Sequence, residues 1–187
     1  MQTGEQLRFS AEEYLTWEAQ QPEKHEFVAG EVFAMTGARQ DHVVVSLNIA
    51  SALKQRLRGT PCRTYMSDLK LRVAAVDAFF YPDVMVSCDP NDHKTAQYIS
   101  HPTLIVEVLS DSTAAYDRGG KFVAYRTLES LQEYVIVDID SRRLESFRRN
   151  ANNEWLLHDY HGDIACEFSS LGVKLALTEI FEDIEPV

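Results

Sequence analysis

The sequence predicts a mixed α+β (α/β) fold: a mixed central β-sheet flanked by helices, with an additional N-terminal helix and β-hairpin. Three observations predict it. Short β-type segments recur along the chain, from His25-Glu26-Phe27-Val28 to Val173–Leu177. Helical segments separate them instead of gathering at one end. The most apolar run, Thr103–Leu109, is bracketed by polar turns, as a central strand buried on both faces should be. With 187 residues, 45% of them hydrophobic, the chain can bury one substantial core, and a single domain over residues 1–187 is expected.

The elements follow in order. Phe9-Ser10-Ala11-Glu12-Glu13-Tyr14 opens a helix, with Ser10 and Glu13 as a capping box and Phe9 with Tyr14 as the hydrophobic staple. That helix should stop before Pro22. His25–Val28, Ala29-Gly30 and Glu31–Met35 read as a β-hairpin around a glycine turn. Asp41 is placed to cap a helix from His42 to Leu57, with Val43, Leu47, Ala50, Leu53 and Leu57 at helical spacing. Gly59 and Pro61 end it. Arg63–Met66 and Leu69–Val73 are short strands, and Lys70 and Arg72 face either a ligand groove or water. Ala74–Ala78 is a turn. Asp83–Ser87 is a strand behind Pro82, which is tolerated at a first strand position. Thr103–Leu109 is the central strand, and Ser110-Asp111-Ser112-Thr113 a turn. Tyr116–Leu128 is a helix in spite of Gly119-Gly120, which suggests close backbone approach. Glu133–Ile139 is buried, Leu144–Arg149 and Glu154–Tyr160 form a meander, and Val173–Leu177 is an edge segment before a last helical turn capped by Thr178.

Composition narrows the function. The net charge of −11 weighs against a protein that coats nucleic acid by bulk electrostatics. Local basic patches remain at Arg56-Leu57-Arg58 and at Arg142-Arg143 with Arg148-Arg149, where the plain reading is solvated surface charge. Cys62, Cys88 and Cys166 are odd in number and widely spaced, so buried free thiols in a reducing, cytoplasmic setting are expected. Residues Met1–Ser10 lack the apolar core of a signal peptide. No apolar run approaches the roughly 20 residues of a membrane helix.

The chemistry concentrates between Pro82 and Lys121. Asp83 and Glu107 lie in apolar strand segments, where an ionised carboxylate is costly unless a cation or an ion pair compensates it. If the two strands pair, the carboxylates converge, and a bound cation or a proton must relieve their repulsion. Oxygen ligands of this kind suit Mg²⁺ or Mn²⁺. Glu26 is a possible third ligand, direct or through water; on its own residues it reads as a strand-edge glutamate facing solvent. Hydrolysis of a phosphodiester also gains from a cation near the phosphate. The position two residues after Glu107 is Leu109, so Lys121 is the nearest source, on a face shared with Asp117 and Tyr125. The plainer reading of Lys121 is a surface pair with Asp117. His42, alone in a first helical turn, reads as a surface or capping residue.

Taken as an ordered set, these residues resemble a known family. Pro82-Asp83, Glu107-Val108-Leu109-Ser110, Asp117, Lys121, Tyr125 and Glu133–Asp138 are similar to the Uma family of inferred restriction endonucleases, within the broad PD-(D/E)XK nuclease superfamily. His25-Glu26-Phe27-Val28-Ala29-Gly30-Glu31 resembles its Tyr-Glu-Leu-x-x-Gly-Glu element, and His42 its frequent histidine at the next helix start. The resemblance runs from about Phe9 to Phe181. It implies a restriction-endonuclease-like core and a metal site at Asp83 and Glu107 with Glu26 assisting. It also implies catalytic roles for Lys121 and His42, with DNA as substrate. The superfamily's strand lysine is replaced here by Leu109. Three functions stay open: a Mg²⁺-dependent endonuclease acting as a homodimer, a nuclease-fold binding or regulatory protein without turnover, and a hydrolase of another phosphoester. Convergence of Asp83, Glu107 and Lys121 favours catalysis, whereas a salt bridge occupying Asp83 favours the binding protein.

Overall fold

The computed structural model of the chain describes residues 8–110 and 113–185. The expected features at Met1–Leu7 and at Asp111-Ser112 lie outside them.

Helix α1 (Ala11–Glu18) begins as its sequence dictates. Ser10 Oγ accepts the Glu13 N–H, and the Glu13 carboxylate accepts the Ser10 N–H at 2.7 Å. Phe9 stacks on Trp17, with ring centroids 5.2 Å apart, at the edge of a cluster formed by Tyr14, Phe27 and Phe79. Strands β1 (His25–Val28) and β2 (Glu31–Ala34) form the expected hairpin. Ala29 and Gly30 both take positive φ, 49° and 95°, as a tight turn matched to strand twist requires.

Helix α2 (Gln40–Arg56) corrects two expectations. Its N-cap is Arg39, with no side-chain capping bond; the Asp41 carboxylate instead pairs with Arg39 and accepts the His42 N–H. The apolar stripe is also rotated in its first turns. Val45, Ile49, Ala52 and Leu53 are buried, while Val43 and Leu47 are 51% and 54% exposed.

The strands that follow are β3 (Arg63–Met66), β4 (Lys70–Val73), β5 (Ala78–Phe80), β6 (Val84–Ser87), β7 (Tyr98–Ile99) and β8 (Leu104–Val108). Strand β5 occupies the end of the expected turn. Lys70 and Arg72 are both taken up by the fold: the Lys70 ammonium lies over the Tyr81 ring, and Arg72 pairs with Asp77 across the Phe79 ring. The expected helix after β8 is three pieces, α3 (Ala114–Tyr116), a π-helical turn (Asp117–Lys121) and α4 (Phe122–Tyr125). Close approach holds at Gly120, where a Cβ would lie 2.4 Å from the Tyr116 ring, but not at Gly119. Strands β9 (Glu133–Asp138), β10 (Arg143–Arg149), β11 (Trp155–Tyr160), β12 (Ala165–Phe168) and β13 (Val173–Ala176) precede α5 (Leu177–Ile180), which Ala176 rather than Thr178 caps.

The mixed α+β class is as expected, and the strands are shared among several sheets. Six strands in the order β11-β10-β9-β8-β6-β3 make the larger sheet, in which only β8 and β9 pair in parallel. Five strands, β2-β1-β5-β4-β7, make a second sheet, and β12 and β13 a hairpin. Alternate residues of the central strands feed two cores. Val84, Val86, Val106, Val108, Val135 and Val137 pack against α2 and α5. On the other face Met85, Ile105, Tyr134 and Ile136 pack against Leu71 and Phe80 of the second sheet and against Tyr125 of α4. Burial on both faces explains why apolar residues fill both faces of β8 and β9.

Two cysteines depart from expectation. Cys62 and Cys88 form a disulfide, because the β3–β6 register that pairs Arg63 with Ser87 brings them opposite one another. Cys166 is free and buried as expected, and burial pushes its thiol up to about 12. Among the described residues, no helix is long and apolar enough to cross a membrane.

Candidate active site

The register of the larger sheet builds the site. Val84 of β6 pairs with Val106 of antiparallel β8, and the same register one step on sets Asp83 opposite Glu107. The two are stitched crosswise. The Asp83 N–H donates to Glu107 Oε2 at 3.3 Å, and the Val108 N–H donates to Asp83 Oδ2 at 2.8 Å. Side chains directly opposite in such a pair share one face. Here it is the face of Ile105 and Met85, turned towards α4 and the second sheet.

The π-helical turn delivers Lys121 to that face. Its Nζ lies 3.1 Å from Glu26 Oε1, 3.3 Å from Glu107 Oε1 and 3.3 Å from Asp117 Oδ1. The Tyr125 hydroxyl donates to Glu107 Oε1 at 2.8 Å. Asp117, Lys121 and Tyr125 therefore do share a face. The Asp117–Lys121 pair, however, is buried rather than superficial, with the lysine side chain 8% exposed. Asp117 Oδ1 makes no hydrogen bond, so the ammonium is its compensation.

Glu26 corrects its own residue-level reading. Strand β1 is flanked by β2 and β5 and is not an edge. Glu26 shares the face of Val28, which packs against the second core, and its carboxylate turns inward to Lys121 and to the Tyr81 N–H. His42 is likewise no surface cap. Its Nε2 lies 3.2 Å from Asp83 Oδ2, and both side chains remain 15% exposed. Glu107 is 4% exposed, so solvent reaches the site from the Asp83–His42 side. Leu109 continues the β8–β9 pairing through its N–H and packs its side chain into the second core.

The electrostatics follow from burial and crowding. Burial above all, then Asp83, Asp117 and Glu26, push Glu107 up to about 8, against the opposing pull of Lys121. Burial works against the Lys121 ammonium, but Glu107, Glu26 and Asp117 outweigh it and hold its pKa well above the ordinary range. Burial also lowers the His42 imidazole, and the hydrogen bond and charge of Asp83 more than reverse this, leaving it raised. Four carboxylates thus surround one ammonium and one imidazole. Such a site is short of positive charge, which favours the protonated form of Glu107.

The donor chemistry fits a divalent ion in a limited sense. Among the described residues, no three His, Cys, Asp or Glu side chains are arranged to hold a metal ion between them. Lys121 stands where Glu26 and Asp117 would have to approach. Asp83 and Glu107 remain, a pair of hard oxygen donors. Mg²⁺ is commonly held by one or two carboxylates, with waters and substrate phosphates completing the shell. Of the residues singled out from the sequence, Asp83, Glu107, Lys121, Glu26 and His42 all converge. Tyr125 and Asp117 belong with them, and their four-residue spacing from Lys121 was the available signal.

Comparisons with known proteins show the family and the fold. A family model described as "Putative restriction endonuclease", Uma2, matches residues 11–181. Two uncharacterized proteins of Synechocystis sp. are similar. One is 39% identical over 177 residues, covering 95% of this chain and 93% of its own length; the other is 36% identical over 167 residues, covering 88% and 94%. Among solved structures, one described as "a putative nuclease belonging to DUF820" from Anabaena variabilis superposes with a TM-score of 0.74. It is 14% identical, and the match covers 92% of this chain and 97% of that one, a likeness of fold. The family match runs from the first described helix to the last, and the chain belongs to the Uma2 family.

Proposed function

We propose that the chain is a Mg²⁺- or Mn²⁺-dependent endonuclease that hydrolyses DNA phosphodiester bonds. One observation carries the reading: Asp83 and Glu107 oppose one another across β6 and β8, with the Lys121 ammonium 3.3 Å from Glu107. The lysine reaches from the helix the carboxylate that Leu109 cannot serve from the strand. Asp83 and Glu107 would hold the ion, which supplies a Lewis acid at the phosphate and a more acidic bound water. Glu26 fixes Lys121 and would assist an ion through water. Lys121 stabilises the attacking hydroxide or the phosphate, and Tyr125 holds the Glu107 carboxylate in place. His42, on the open side, contacts the phosphate or takes part in proton transfer. A double-strand cut needs two such sites, so the acting species is proposed as a symmetric homodimer.

A second reading has its own observation. His42 already engages Asp83, as in a nuclease-fold binding protein without turnover. Titration calorimetry with Mg²⁺ or Mn²⁺ separates the two. Catalysis predicts binding to the wild type that is lost in Asp83→Ala and Glu107→Ala, and metal-dependent DNA cleavage that Lys121→Ala abolishes. A well-folded wild type that binds no metal at millimolar levels, with or without DNA, leaves the binding protein.

A further inference from the structure

A cavity open to solvent lies away from the carboxylates. It has a volume of about 440 Å³ and runs along edge strand β3, bordered by the loop before β7. Arg63, Tyr65, Met66, Leu69 and His93 line it. Its volume falls within the roughly 300–1,000 Å³ of small-molecule sites.

The sheet register ties this cavity to the active site. Tyr65 pairs with Met85, Met85 with Ile105, and Ile105 lies two residues before Glu107 on β8. Cross-strand partners and residues two apart share a face. Arg63 and Tyr65 therefore stand on the face that carries Asp83 and Glu107. Tyr65 is one strand across and two residues along from Asp83, a separation on the order of 8 Å. One further cation stands nearby: the Lys70 ammonium lies 5.4 Å from the ring centroid of Tyr81, two residues before Asp83.

The lining has the chemistry of a nucleotide. Arg63 is an exposed guanidinium, suited to a phosphate. Tyr65 offers an aromatic face on which a base can stack. His93 Nε2 is buried without a hydrogen-bond partner, which a native structure seldom leaves unexplained. The acidic neighbours are engaged elsewhere. Asp92 Oδ1 and Oδ2 accept from Ser100, His101 and Ser87, and Asp68 at the rim is paired with Lys24.

We propose that this cavity is a nucleotide subsite, holding one nucleotide of the strand whose phosphodiester lies at Asp83 and Glu107. The phosphate faces Arg63, the base stacks on Tyr65, and its edge meets His93 Nε2. The assignment of a strand rests on the nuclease reading above.

The test is binding without cleavage. Fluorescence anisotropy of a labelled single-stranded oligodeoxynucleotide is measured in EDTA over a range of salt. Tyr65→Ala should weaken binding roughly 5- to 150-fold, the effect of losing one stacked base, and Tyr65→Phe should restore it. Arg63→Ala should weaken binding and reduce the slope of log affinity against log salt by about 1. His93→Ala should weaken binding, and His93→Gln should recover part of it. Unchanged affinity in the variants, or no binding by the wild type, overturns the proposal. So does a mononucleotide that binds the cavity as tightly as the oligonucleotide, since the cavity would then be a separate effector site. Metal-dependent cleavage with pocket-independent binding would sink the subsite and leave the nuclease. Pocket-dependent binding without metal affinity would do the reverse.

Discussion

Replacing Glu107 with glutamine should make the protein less sensitive to rising pH. Glu107 is buried, and its carboxyl is pushed from 4.5 up to about 8, by burial first and then by Asp83, Asp117 and Glu26. A group whose folded value is raised contributes stability that is fully present below its unfolded value. That stability is lost as pH rises through the folded value. The window is therefore pH 4.5 to about 8. At about 1.36 kcal/mol per pH unit, the wild type should lose on the order of 5 kcal/mol across it. Glutamine mimics the protonated acid, but its amide nitrogen accepts no hydrogen bond, so it offers one acceptor atom where the carboxyl group offers two. It cannot serve both Tyr125 and the Asp83 N–H, a loss of about 1 kcal/mol. Near pH 5 Glu107→Gln should thus be slightly less stable than the wild type, and near pH 8 more stable by several kcal/mol. Urea unfolding followed by the fluorescence of Trp17 and Trp155, in EDTA and at fixed ionic strength, reads the difference. Parallel stability profiles for the two proteins would refute a proton held by the cluster.

Lys121→Met should destabilise the fold by about 3–5 kcal/mol, the usual cost of leaving buried charges uncompensated, and Lys121→Arg should lose less; urea midpoints check both. His42→Ala should cost stability below pH 6.5, with the difference vanishing as pH rises through the raised imidazole value; it should stay under about 1 kcal/mol because the pair is partly solvated. An unvarying difference across pH would show that His42 acts by packing alone. Reducing Cys62–Cys88, a bridge spanning 26 residues of sequence, should lower stability by about 3.5 kcal/mol on the chain-entropy account. Equal unfolding midpoints with and without reductant would show that the bridge does not constrain the unfolded chain.

What could be read from the sequence was what is local. The capping box at Ser10 and Glu13, the turn at Ala29-Gly30 and the apolar run of β8 each depend on a few neighbouring residues, and each is present. What failed depends on partners distant in sequence. Ala78–Phe80 is a three-residue strand, where the sequence suggests only a turn ending at Ala78. Without it β1 looks like an edge, and Glu26 then looks solvent-facing. Pairing of β1 with β5 on one side and β2 on the other is what turns Glu26 inward. The disulfide has the same origin, since only the β3–β6 register sets Cys62 against Cys88. On α2 the stripe holds at Ala50, Leu53 and Leu57, which are buried, and fails in the first turns at Val43 and Leu47. Val43 and Val45 are equally apolar, and only the packing against β6 and β8 decides which is buried.

The residues of the candidate site could be singled out in the sequence for a physical reason. Carboxylates in apolar strands and a lysine in an apolar helix each violate the rule that charges stay in water. Each violation requires a partner, so finding one charge sets a search for the next. Asp83 and Glu107 demanded a cation, and Leu109, committed to the second core, could not provide it. Lys121 provides it from the facing helix, and one ammonium is not enough for the carboxylates it meets. A buried ion pair adds little stability compared with apolar packing. A cluster that buries more negative charge than positive costs stability outright, and a further cation would balance it. That deficit is the physical argument for the cation-binding role proposed for Asp83 and Glu107.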